Sequence, residues 1–455
     1  MTAEHALQLW RNSASEGLPQ ADCTLVQFER LLHLELRPPV PPEALQPAVR
    51  LLVHLVVAAY GYSDTRPGKR RSPSAGARYP VECLVLSWQA RHPQAWLVSL
   101  NCGGVRPLGE AFAAQVARAT HAEPGETCVV VVASLWKTIE RYGLAGVRYS
   151  VYVAGHVVAN LCVFAHDEGW RLDTELRVQA RSVFRELSNN VFALYAVRVA
   201  AVRPFDGKAL TALRWPQAAP AAATAPVHID PPSFSPLLAR ARRLFATMGR
   251  ELQDRPLPIC SPTRGRRAGT DWLEARHSVK GFVPRPAAAE RDSQHLRPFL
   301  LDLSRQACQV HALDLGLAYF RRRDDGHYSF DGAVCLRDDN ELAASHGAQA
   351  FLEACNGQNQ VPNAEGIAVL FVQLAHLPED ERLAAAAAAQ SCIGLLSSEI
   401  YRYCAITGVG TTMLCGFSSQ RLGELLAGNA DWPLAVHLFG RGDAAGWKTD
   451  THYLQ

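Results

Sequence analysis

The chain has 455 residues, 48% of them apolar and 20% charged, which is an ordinary soluble composition with room for two or three domains and a sizeable core. A net charge of +3 with scattered arginines argues against nucleic acid. The 12 cysteines occur without any Cys-x-x-Cys, and Cys83, Cys128, Cys162, Cys392 and Cys404 sit in apolar stretches, so reduced core thiols are expected, with no disulfide and no metal. Met1–Leu9 lacks an apolar segment and the longest apolar runs break before about 18 residues, so neither a signal peptide nor a membrane span is predicted, and a cytoplasmic protein is expected.

In chain order, Ala3–Pro38 reads as a helical preface, with Phe28, Leu31 and Leu32 at helical spacing and a stop at Pro38-Pro39. Pro42–Tyr60 is predicted as a buried helix carrying Leu45, Val49, Leu52, Val53, Val56 and Val57 on one side, ended by Gly61. The loop Arg70–Pro80, RRSPSAGARYP, follows. Ala75 and Gly76 let a flat ligand approach the backbone, Ser72 and Ser74 offer hydroxyls, and Arg70, Arg71 and Arg78 supply positive charge. The loop suits an anionic cofactor, although the same composition also makes a surface turn.

Val81–Ser87 and Trp96–Leu100 are expected as strands, and Thr127–Ser134, TCVVVVAS, as a strand in the middle of a sheet. Gly146–Gly169 reads as an apolar helix on which His156, Asn160 and Phe164 recur at four-residue steps, the histidine being either a satisfied core residue or part of a site. Ala193–Val202 closes the first half as a strand. Pro216–Pro236 is a proline- and alanine-rich spacer, Leu237–Leu252 a helix, and Asp254–Thr270 a second loose stretch. In the second half come the string RHSVKGF within Glu274–Phe282, a strand Gly366–Leu374, a long helix Glu379–Thr407 stopped at Gly408, and the segments Thr411–Phe417 and Pro433–Gly442.

These motifs carry a resemblance. The loop after the Tyr60-Gly61 pair resembles the Pro-Ser-(Ala/Gly)-Gly-Ala-Arg flavin loop of the nitroreductase superfamily, in particular its SagB/ThcOx-type azoline dehydrogenases, and Arg148-Tyr149 with Ala154-Gly155-His156 resembles the entry of that family's central helix. RHSVKGF resembles the Arg-x-Ser-x-(Arg/Lys)-x-Phe string that grips flavin mononucleotide in oxygen-insensitive nitroreductases, and residues 272–445 follow that family's order to the end, with a diverged middle. The chain therefore reads as an internal repeat. The expected fold is α+β, with tandem nitroreductase-like domains at 1–215 and 272–455, each a mostly antiparallel sheet flanked by helices, joined through 216–271 and forming an intrachain pseudo-dimer.

Each half keeps the pieces that the other lacks, so the resemblance implies one composite FMN site per chain and a degenerate second one. Arg276, His277, Ser278, Lys280, Cys415, Gly416 and Arg441 would come from the second half, and Pro73, Ser74, Ala75, Gly76 and Arg78 from the first. Arginine forks a phosphate dianion, serine donates to it, and a lysine at the flavin's N1/C2-carbonyl edge stabilises the reduced ring. The resemblance further implies oxidation of thiazoline or oxazoline rings on a peptide or carrier-bound substrate, with a cyclodehydratase or assembly-line partner and possible homodimerisation. The family's Lys-Tyr-Gly is Arg141-Tyr142-Gly143 here. Arginine stays protonated to about pH 12 and is no base. Tyr142 is then expected to relay or donate a proton, Arg141 to orient the peptide or stabilise negative charge, and Lys137 is either solvated or on the same helical side as Arg141. Two other readings stay open: an NAD(P)H-fed nitroreductase or flavin reductase, and a flavin-poor scaffold subunit.

Overall fold

Apolar strands alternating with apolar helices recur twice along the chain, and they fold into two units, Leu18–Thr270 and Asp271–Asp450. The structure is a computed structural model and describes residues 40–65, 69–74, 79–88, 91–100, 104–120, 122–134, 138–139, 142–167, 175–176, 191–198, 257–258, 271–283, 295–311, 315–334, 345–426 and 432–442. The expected helices Ala3–Pro38 and Leu237–Leu252, the spacer Pro216–Pro236, and Ala75, Gly76, Arg78, Lys137 and Arg141 lie outside the described residues.

In the first unit, helix α1 spans Pro47–Tyr60 rather than starting at Pro42, because Pro47 occupies its first turn and Pro42–Ala44 forms a separate 3-10 turn. Its predicted apolar face is buried. It ends where Gly61 donates to the Val57 carbonyl, and a Cβ on Gly61 would lie 2.2 Å from that oxygen. Then come β1 (Val81–Ser87), β2 (Gln94–Val98, two residues earlier than expected), β3 (Val105–Pro107), helix α2 (Glu110–Ala119) and β4 (Thr127–Ser134). The helix α3 (Ala145–Asp167), a short β5 (Glu175–Leu176), β6 (Val191–Arg198, against the expected Ala193–Val202) and a short β7 (Leu257–Pro258) complete it. The main sheet runs β3-β2-β1-β4-β6, every pair antiparallel.

The continuous apolar run of β4 is explained by cover on both faces. Cys128, Val130 and Val132 pack with Phe112 and Val116 of α2, while Val129 and Val131 are buried on the face reached by α1 and α3. Each such valine contributes roughly 1.5–3 kcal/mol of burial.

The second unit opens with helices α4 (Asp271–Ala275) and α5 (Leu296–His311), then the hairpin β8 (Leu315–Arg322) and β9 (Tyr328–Val334), β10 (Ser345–His346), helix α6 (Ala348–Ala354) and β11 (Gly366–Val372). After these come α7 (Glu379–Thr407), β12 (Gly410–Leu414), α8 (Ser419–Leu425) and β13 (Trp432–Gly440). Gly408 ends α7 at φ +75°, a left-handed conformation suited to glycine. The sheet order is β10-β9-β8-β11-β13-β12, again antiparallel throughout.

The two sheets are the same design. In each, two consecutive strands pair, a short third strand lies beside the second, a helix leads to a fourth strand beside the first, and a long helix precedes the last strand. Even the irregularity repeats: β4 against β6 shifts register between Val131 and Val132, passing over Leu194, and β11 against β13 shifts between Leu370 and Phe371, passing over Leu434. A bulge at the same step of the same strand pair is a feature of the repeat rather than a local accident.

Ala145–Ala165 and Glu381–Thr407 are each long and apolar enough by composition to cross a membrane, but their most apolar 18-residue windows are buried inside the protein, as in core helices of the same composition.

Candidate functional site

The RHSVKGF string leaves α4 with the Arg276 N–H bonded to the Trp272 carbonyl at 2.7 Å. It then runs beside the end of the sheet: Val279 N–H donates to the Thr411 carbonyl at 3.0 Å, Val283 N–H donates to the Arg441 carbonyl at 3.0 Å, and Phe282 bridges Gly442. Glycine at 410 permits this, because a Cβ there would lie 2.9 Å from Val279 Cγ2 and 2.6 Å from the Gly440 carbonyl oxygen. Backbone pairing thus gathers the string, the segment after β12 and Arg441 at one end of the sheet.

Within that cluster the side chains differ in environment. Arg276 is 5% exposed, with its guanidinium carbon 5.5 Å over the ring of Tyr401. Ser278 Oγ stands 2.9 Å from Tyr401 Oη, and Met413 N–H donates to that phenol oxygen at 3.0 Å. Burial pushes the Tyr401 hydroxyl above its ordinary pKa, with Ser278 and Arg276 pulling it back. Lys280 and Arg441 are exposed cations. Arg441 donates its backbone N–H to Glu365 Oε1 at 3.3 Å. His277 is exposed and its Nδ1 lies 3.0 Å from the Ala275 carbonyl oxygen, so the ring turns back on its own loop. Cys415 is half-buried and in no disulfide, and the Gly416 carbonyl accepts from Gln358 Nε2 at 2.7 Å, which pins the turn.

One turn back from Tyr401 along α7, Ser397 Oγ lies 2.9 Å from Nε2 of the buried His437. Burial pushes this imidazole down to about 3, so it is neutral. Its ring meets Tyr401 edge-on at 5.8 Å.

The first unit uses its loop differently from the expectation. Arg70 is fully buried, its guanidinium among the rings of Tyr60, Tyr62 and Tyr79 at 4.5, 5.6 and 5.1 Å, and its backbone N–H donates to the Tyr79 hydroxyl. Arg71 donates to the Val57 and Ala58 carbonyls at the end of α1 and pairs with Asp64 at 3.1 Å. Ser72 Oγ donates to the Ala59 carbonyl and accepts from Asn160 Nδ2 at 2.8 Å. Asn160 also donates to the Ala59 carbonyl. These three loop residues therefore fasten the loop to α1 and α3. Ser74 Oγ accepts the Tyr79 N–H at 2.9 Å, with Tyr79 at φ +45°, and Pro73 and Ser74 are half-buried.

The remaining expected residue of this unit, Tyr142, is half-buried in the turn before α3 and stands edge-on to Tyr149 at 4.8 Å. His156 is buried within α3, 2% exposed, and Phe164 faces His54 at 5.6 Å.

A phosphate dianion requires cations and hydroxyl donors, and Arg276, Ser278, Lys280 and Arg441 are that donor set at one end of one sheet, so the phosphate of FMN fits the chemistry present. Sequence reasoning missed Tyr401, and singled out Asn160 without its partners Ser72 and the Ala59 carbonyl. The signal for both was a polar group on a buried helix face, which must find a partner; the partner itself was not readable without the fold.

No family model matches the chain, and no curated protein does. Among solved structures, a proposed nitroreductase from Anabaena variabilis is similar over 97% of this chain and 99% of its own, with a TM-score of 0.64 at 14% identity. The microcin synthetase complex McbBCD of E. coli with truncated pro-MccB17 bound (17% identity, 40% of this chain and 76% of that one, TM-score 0.28) and a proposed nitroreductase from Bacillus subtilis (11%, 40% and 91%, 0.25) are too distant to carry an inference. The chain has the nitroreductase fold over nearly its whole length.

Proposed function

We propose that this chain is an FMN-dependent oxidoreductase that dehydrogenates thiazoline or oxazoline rings, or a related group, on a peptide or carrier-bound substrate of natural-product assembly. It would work in the cytoplasm beside a cyclodehydratase or assembly-line partner. The observation that supports this best is the Arg276–Val283 string, paired by its backbone to β12 and to Arg441 just after β13, so that a buried guanidinium, a serine hydroxyl and two exposed cations lie at one end of the sheet.

FMN, when bound, supplies the hydride acceptor. The chain's own residues do the rest. Arg276 and Ser278 hold the phosphate, with Arg441 sharing its charge, and Lys280 lies toward the ring edge. Cys415 and Gly416 offer backbone N–H groups, and His277 shapes the string. From the first unit, the resemblance assigns Pro73, Ser74, Ala75, Gly76 and Arg78 to the ring. Tyr142 relays or donates a proton, Arg141 orients the peptide or stabilises negative charge, and Lys137 precedes Arg141 by four residues in the sequence.

The test is the visible spectrum of the purified protein with its flavin-to-chain ratio, followed by turnover of an azoline-bearing peptide. A yellow protein that oxidises the azoline without NADPH is expected, and Tyr142→Phe is expected to stay yellow while turning over more slowly. Rapid flavin reduction by NADPH with no azoline oxidation would make it a reductase, and a colourless protein that takes up no FMN would make it a scaffold.

A further inference from the structure

Two of the residues assigned to the phosphate meet one buried side chain of their own unit. Tyr401, 2% exposed on α7, presents its ring face to the Arg276 guanidinium at 5.5 Å and its hydroxyl to Ser278 Oγ at 2.9 Å. The phenol oxygen is in turn held by the Met413 N–H at 3.0 Å, in the strand to which the string is paired.

The direction of this chain follows from donor accounting. A backbone N–H can only donate, so Tyr401 accepts from Met413. An anion beside Ser278 can only accept, so the serine proton goes to the anion, and the serine oxygen is then best served by a donor. The Tyr401 O–H is within reach to be that donor. Burial keeps the phenol protonated. The sequence Met413 N–H to Tyr401 O–H to Ser278 O–H to anion is unidirectional, and each bond polarises the next.

We infer that Tyr401 is the positioning residue of the phosphate grip, aiming the Ser278 proton outward and seating the Arg276 guanidinium over its ring, so that the site selects the phosphorylated flavin over the unphosphorylated one. The inference rests on the FMN reading above. Tyr401 itself touches no ligand and acts through the two residues that do.

The experiment uses the full chain stripped of flavin, titrated separately with FMN and with riboflavin by quenching of flavin fluorescence. The wild type binds FMN more tightly than riboflavin. Tyr401→Phe keeps the ring and removes the hydroxyl; its FMN affinity falls by up to about 10-fold, the upper scale of one neutral hydrogen bond, while its riboflavin affinity is unchanged. Ser278→Ala, at a half-buried position that tolerates truncation, shows the same selective loss, and the double variant is no worse than Ser278→Ala alone.

An unchanged FMN-to-riboflavin ratio in Tyr401→Phe, or fully additive losses in the double variant, overturns the inference while leaving FMN binding standing. Should Tyr401→Phe fail to fold, a Ser278→Ala protein with wild-type selectivity overturns it equally. A wild type that binds neither flavin refutes the FMN reading itself, and this inference with it.

Discussion

The two units share a five-strand order, to which the second adds β12 at one edge, together with antiparallel pairing and the position of a bulge, yet they use their arginines differently. In the first, Arg70 is enclosed by three tyrosines and Arg71 caps a helix and pairs with Asp64, so the charge is consumed in fastening a loop. In the second, Arg276 lies on one tyrosine whose hydroxyl holds a serine, with Lys280 and Arg441 exposed at the same sheet end. The same fold thus sets its arginines in different surroundings, three tyrosine rings around Arg70 and one tyrosine ring beside Arg276.

The sharpest way to break this comparison is Arg276→Ala. It removes the one buried cation of the string, and loss of FMN affinity on the order of 100-fold is expected by equilibrium dialysis, since a charge-assisted contact to a dianion is lost. Asn160→Leu attacks the first unit where it is bolted. Loss of the Asn160 bonds to Ser72 and the Ala59 carbonyl leaves buried polar groups unmet, and destabilisation by about 2–3 kcal/mol is expected in urea unfolding.

His437 tests the second unit by pH. Its imidazole is held down to about 3 in the folded chain against an ordinary 6.5, so the unfolded chain binds the extra proton in between. The stability it contributes is complete above pH 6.5 and is lost as pH falls, by about 2 kcal/mol at pH 5. His437→Phe should therefore show a flatter loss of stability between pH 7 and pH 5 than the wild type. The smallest effect is expected for Arg71→Ala, about 1 kcal/mol of stability with flavin affinity unchanged. If this variant instead sheds flavin as Arg276→Ala does, the contrast between the two arginines is wrong.

Much of the fold was legible because burial on two faces leaves an unmistakable composition. TCVVVVAS gave β4 with its bounds, and the alanine-rich Glu379–Thr407 gave α7 with its glycine stop. Elements held by tertiary pairing were not legible. The hairpin β8–β9 turns on Asp325 and Gly326, at φ +82°, within a stretch whose apolar alternation is broken by arginines, and α2 and α6 are short helices fixed by packing against sheets. At the site, residue types were legible and their orientation was not. Nothing in RRSPSAGAR distinguishes an arginine that faces a ligand from one that faces three tyrosines, since that depends on where Tyr60, Tyr62 and Tyr79 fall in space.

The most direct test of the account is the flavin stoichiometry of the full chain, measured by absorbance after reconstitution with FMN, in the wild type and in Arg276→Ala. One FMN per chain, lost with Arg276, is the predicted result. Two FMN per chain, or full occupancy retained in Arg276→Ala, would contradict the claim that only the second copy of the fold has kept the phosphate grip.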